Sequence, residues 1–101
     1  MPEYTLRTPV QVAKALAART RELRLARGWK QTTLAQRSGV SLGSLRRFES
    51  TGKVSLRNLL QLALVLNRLD DFDTLLHPPP AHSIAELEAR LEAPRRQRGR
   101  Q

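Results

Sequence analysis

Gly39-Val40-Ser41 separates two short amphipathic stretches, QTTLAQRS before it and LGSLRRFES after it. A three-residue link between helices demands a tight turn, and glycine takes the positive φ that such a turn needs. Where the helices approach, a small side chain is required, and Ala35 fills that place. Leu34, Val40, Leu45 and Phe48 fall at helical intervals on the inner faces. The spacing therefore predicts two helices, Gln31 to Ser38 and Leu42 to Ser50, closed on each other as a corner, with Ser41 capping the second.

The flanking sequence predicts further helices. Thr8-Pro9-Val10-Gln11 is a capping box with proline at the first helical position, so a helix runs from Pro9 to Arg27 and stops at Gly28. Its apolar stripe is Val12, Leu16 and Leu23 with Ala13 and Ala26, while Arg19, Arg21, Arg24 and Arg27 lie off it. Ser55 caps a helix from Leu56 to Asn67 that is apolar nearly all round. That implies burial on more than one side, more than a small core supplies, and points to a dimer contact. A fifth helix is expected over Asp70 to Leu76, its first-turn acids matched to the helix dipole. Pro78-Pro79-Pro80 then stiffens a spacer, and Ser83-Ile84-Ala85-Glu86 caps a short helix through Leu91, with Ile84, Leu87 and Leu91 on one face. The reading is all-α: an arm over residues 1–7 (a short strand or frayed), a five-helix domain over 8–77, spacer and helix over 78–92, and a disordered basic tail over 93–101.

Composition narrows the function. The net charge is +9, spread as +7 over residues 1–52, −2 over 53–93 and +4 over the last eight. A basic front half attracts polyanions by its field and by counterion release, so nucleic acid is the expected partner. There is no cysteine, which excludes disulfides and thiolate metal sites. No phosphate-binding loop, nucleophilic triad or acid–base pair is visible, so neither an enzyme nor a cofactor is expected. No signal peptide or membrane-length apolar run is present, and a cytoplasmic protein is expected.

A DNA-reading helix-turn-helix lays one helix in the major groove and braces another across it. The stretch LRLARGWKQTTLAQRSGVSLGSLRRFESTGKVSLRNLLQLALVLN, about Leu23 to Asn67, meets that pattern. It resembles the Cro/C1-type (lambda-repressor-like) helix-turn-helix family in Arg27-Gly28, Gln31, Leu34-Ala35, Gly39-Val40-Ser41, Glu49 and the apolar run Leu59 to Leu66. The resemblance implies phosphate contacts from Gln31 and Ser41, and base contacts from Leu42, Gly43, Ser44 and Arg47 with Arg46 beside them. Arginine can donate two bonds to guanine, and two assignments stay open for the pair: both read bases, or one reads while the other holds a phosphate. Lys30, Lys53, Arg57 and Asn58 sit at helix starts around the groove and, with Arg27 in the turn, are expected on phosphates. Trp29 is expected to pack, and Glu49 to form a structural ion pair or cap.

The segment HPPPAHSIAELEARLEAPRRQRGR lies beyond the family pattern. One such domain with a proline-linked tail looks like the HipB-like antitoxins, which implies a homodimer on a palindromic double-stranded DNA operator, repressing its own operon and binding a HipA-like kinase toxin. A stand-alone regulator whose basic tail clamps DNA, and a protein-interaction scaffold without a DNA role, are the other two readings of the residues.

Overall fold

The computed structural model describes residues 7–79 and, beyond the prolines, residues 84, 85, 88, 89 and 91. Four α-helices follow one another among them: α1 Pro9–Ala26, α2 Gln31–Ser38, α3 Leu42–Thr51 and α4 Leu56–Val65. Each starts as its sequence dictates. Thr8 and Gln11 close the capping box on α1, with Gln11 N–H donating to Thr8 Oγ1 at 3.1 Å and Thr8 N–H to Gln11 Oε1 at 2.9 Å. Ser41 caps α3 through the Ser44 N–H, and Ser55 caps α4 through the Asn58 N–H, both at 3.1 Å. These bonds occupy N–H groups that a helix start otherwise leaves without partners.

The core lies where α1, α2, α3 and α4 meet. Leu34, Val40, Leu45, Phe48, Leu62 and Leu66 are buried together with Ala17 and Ala35. All four inner anchors expected of the corner are therefore in it, and Ala35 lets α2 approach its neighbours. Gly39 sits at φ +78 and ends α2, so the turn uses the left-handed conformation that the sequence reserved for glycine.

Three expectations are corrected. The fifth helix is absent: residues Leu69–Phe72 form a single 3-10 turn, followed by i→i+3 bonds from Leu75 N–H to Phe72 O and from His77 N–H to Thr74 O. Pro78 bars His77 from the α conformation, and Leu75 and Leu76 stay exposed, so no buried stripe supports a longer helix. On α1, Val12 and Ala26 are exposed, whereas the spacing Ala17, Thr20, Arg24 defines the buried face. Arg24, expected off the stripe, is 6% exposed. Boundaries otherwise agree within two residues.

The segment expected as a helix to Leu91 has helical backbone at its described residues. Residues 1–6 of the arm, and the tail over 93–101, lie outside the described residues.

Of the glycines at 28, 39, 43 and 52, Gly52 leaves the least room for a side chain. It ends α3 at φ +83, and a Cβ there would stand 3.0 Å from the Ala13 carbonyl carbon and 3.0 Å from the Lys14 nitrogen. Gly28 has a similar φ of +72 but open surroundings. Gly28→Ala should therefore lose about 1–2 kcal/mol for the left-handed residue alone, whereas Gly52→Ala should lose roughly 1–3 kcal/mol more for the overpacked contact. Urea unfolding of both variants measures this; equal losses would mean that α1 yields freely at Ala13.

Candidate nucleic-acid interface

The scaffold behind α3 is an ion pair. Arg24, on α1, donates from Nε to Glu49 Oε2 at 2.8 Å and from Nη2 to Glu49 Oε1 at 3.0 Å. Its Nη1 donates to the Trp29 carbonyl at 2.9 Å, and Gln31 Nε2 donates to Glu49 Oε1 at 3.0 Å. The two charged side chains are 7% and 4% exposed. One carboxylate thus ties together α1, the start of α2 and the last turn of α3. The two-pronged geometry fixes direction as well as distance, which is the particular use of arginine against a carboxylate. Glu49 was expected in such a pair; the identity of its partner, 25 residues away, was not legible. The intervals of four from Thr20 and seven from Ala17 are the signal that places Arg24 inward.

With Leu45 and Phe48 pinned inward, the other face of α3 turns to solvent. Gly43, Arg46 and Arg47 are exposed. The guanidinium groups of Arg46 and Arg47 meet no acceptor among the described residues, so their donors are free for an outside partner. A Cβ at Gly43 would meet nothing within 4 Å. Ser44 is half-buried, and its hydroxyl accepts a 2.9 Å bond from that of Ser41. Leu42 is half-buried and packs against the core, so only part of it is left for a base.

Beside this face lies an open cleft of about 360 Å³, lined by Ser44, Arg47, Lys53, Val54, Ser55 and Asn58. It joins α3 to the start of α4 and holds two cations and no carboxylate. The first N–H groups of α4 lack acceptors within the helix, and its dipole is positive at this end. Such a cleft suits a phosphate. Arg57, exposed on the first turn of α4, stands next to it in sequence.

The remaining residues expected on phosphates are placed differently. Lys30 is exposed as the residue preceding α2 and makes no side-chain cap, which leaves the first N–H groups of that helix open. Gln31 turns its amide nitrogen to Glu49. Arg27 donates from Nη2 to the Leu66 carbonyl at 2.7 Å, closing the far end of α4. That end is about 15 Å along the helix from the cleft. Trp29 packs, as expected, against the core, and it is flanked by Arg27 at 5.3 Å and Arg37 at 4.7 Å from its ring centroid. Both cations face the negative π cloud. Val54, beside the core and on the cleft wall, was missed in the sequence because no periodic stripe contains it.

Among the described residues, no group of His, Asp and Glu is placed to hold a metal ion, and no helix is long and apolar enough to cross a membrane. In comparisons with known proteins, the model of the helix-turn-helix family matches residues 21–72, half of the chain. No curated protein and no solved structure matches it.

Arg24→Met strands the buried Glu49 carboxylate, and the expected loss is about 3–5 kcal/mol. The double variant Arg24→Met/Glu49→Met removes both charges and should recover most of it. Denaturant unfolding of the set checks this; a double variant no more stable than the single would show that the bonds to Trp29 and Gln31, not the uncompensated charge, set the loss.

Proposed function

The chain belongs to the helix-turn-helix family, whose fold binds DNA in transcription regulation, and on that premise we propose that it is a sequence-specific repressor. It binds a palindromic operator as a homodimer, with α3 in the major groove. The observation that carries this reading is the outer face of α3: Arg46 and Arg47 exposed and without acceptors among the described residues, Gly43 open, and the cationic cleft of Arg47 and Lys53 alongside. Arg47 and Ser44 read base edges, Arg46 reads or steadies beside them, and Leu42 contributes its exposed part to a thymine methyl. Lys53, Asn58, Arg57, Lys30 and Ser41 hold phosphates. Gln31 keeps its bond to Glu49, so its part is to brace α3.

The biological setting we propose is the antitoxin of a type II toxin–antitoxin operon. The dimer represses its own promoter and binds a HipA-like kinase toxin. One helix-turn-helix domain followed by a proline-linked amphipathic segment supports this assignment. No catalytic role is proposed.

Arg47→Ala should weaken binding to the cognate operator by about 1–3 kcal/mol, roughly five- to 150-fold, and leave random duplex nearly unchanged. Lys53→Ala should weaken both alike and reduce the salt slope, d log K/d log [salt], by about 0.9. Fluorescence anisotropy across a salt series reads both quantities. Equal losses for Arg47→Ala on the two duplexes would make Arg47 a phosphate clamp, and salt-independent binding would sink the DNA reading altogether. Affinity capture of the chain from its host after nuclease treatment tests the toxin; absence of a stoichiometric kinase-like protein would leave a stand-alone regulator.

A further inference from the structure

α4 buries only one side. Leu62, Ala63 and Leu66 enter the core, while Leu56 and Leu64 are 64% and 61% exposed. Together with Leu60, Leu69, Arg57 and Gln61 they line a groove of about 460 Å³ that is almost wholly apolar. The sequence predicts burial of this second side too, and the described residues leave it open. A second apolar surface is open at the same time: Ile84 and Leu91 are 75% and 58% exposed on helical backbone beyond the prolines.

We propose that the α4 groove is the seat for residues 84–91 of a second copy of the chain. The inference rests on the homodimer reading above and names its surface. Three observations commit the groove to this occupant. The apolar positions match: Ile84, Leu87 and Leu91 recur at intervals of three and four, the spacing with which an amphipathic helix fills a leucine-lined groove. The charges match: residues 83–93 carry Glu86, Glu88 and Glu92 against Arg90, a net −2, whereas the groove offers Arg57 and no acid. The chain reaches: Leu69 is itself a wall of the groove, and the six residues 78–83 alone can extend to about 20 Å, beyond the ~8–10 Å between packed helices. A single chain leaves both surfaces open, and a second copy closes both at once. The contact then repeats about a two-fold axis, each copy lending its segment to the other.

The test is sedimentation equilibrium of the full chain beside two full-length variants, Leu64→Glu in the groove and Ile84→Glu/Leu91→Glu in the segment. All three sites are exposed in a single chain, so the helix content of α1 to α4 should hold, while the thermal midpoint should fall only by the lost association. The wild type should be a dimer, each variant should dissociate at least tenfold more readily, and an equimolar mixture of the two should recover a dimer of intermediate affinity through its one intact contact. A wild type that is monomeric at every concentration overturns both this proposal and the homodimer reading. A dimer that survives Ile84→Glu/Leu91→Glu but not Leu64→Glu means that α4 packs on α4, and overturns this proposal alone. A dimer that survives both variants does the same and frees the segment for a different protein.

Discussion

The Glu49 carboxylate is the point on which the arrangement turns. It receives two bonds from Arg24 and one from Gln31, and Arg24 in turn holds the Trp29 carbonyl. Apolar packing brings α1 and α3 together but leaves their rotation about one another loosely fixed, because dispersion contacts have little directionality. A bidentate pair, nearly cut off from water, has one good geometry. Its net contribution to stability is small when both partners are present, since desolvating two charges offsets their attraction. What it supplies is orientation. With α3 held at its last turn by Glu49 and at its first by Ser41, the outward residues between them have a defined direction.

A second lock joins the front of the molecule to the far end of α4. Arg27 both bonds the Leu66 carbonyl and lies over the Trp29 ring, with Arg37 on the same indole. With Arg24, three of the basic residues in a strongly basic half are thereby spent on structure. The charge excess of residues 1–52 is thus not one uniform surface. Arg24 and Arg27 work inward, whereas Arg46 and Arg47 face outward, beside Lys53 just past that half.

The parts of the fold that depend on local chemistry were legible. Capping residues at Thr8, Ser41 and Ser55, the left-handed glycines at 28 and 39, and the inward set Leu34, Leu45 and Phe48 all stand where their sequence neighbours require. Features that depend on residues far apart in the chain were not. Nothing near Arg24 in sequence announces Glu49, and a charged residue counted off a hydrophobic stripe reads as solvated until its partner is known. The expected fifth helix failed for a related reason. Acids at its start satisfy a dipole, but in Asp70 to Leu76 only Phe72 is half-buried while Leu75 and Leu76 stay exposed, and the prolines beyond remove the donors that would prolong it. At the candidate site, residue types and approximate positions were readable from α3, whereas the division between Arg27 on α4 and Lys53 in the cleft needed three-dimensional proximity.

The open ground around Gly43 has a consequence for how such a protein can change. A Cβ there touches nothing, and its φ lies in no region reserved for glycine. The neighbouring Arg46 and Arg47 are exposed, and their side chains bond to none of the described residues. Exchanging any of the three therefore leaves the ion pair, the caps and the core as they are. On the proposed reading, Leu42 and Ser44 serve both recognition and the fold, whereas Gly43, Arg46 and Arg47 on the same ten-residue helix serve recognition alone, so at these three positions the target sequence can drift, or be rewritten, without the chain first having to survive an unfolded intermediate. Gly43 is the place where a new side chain could be added to the vocabulary rather than one being replaced.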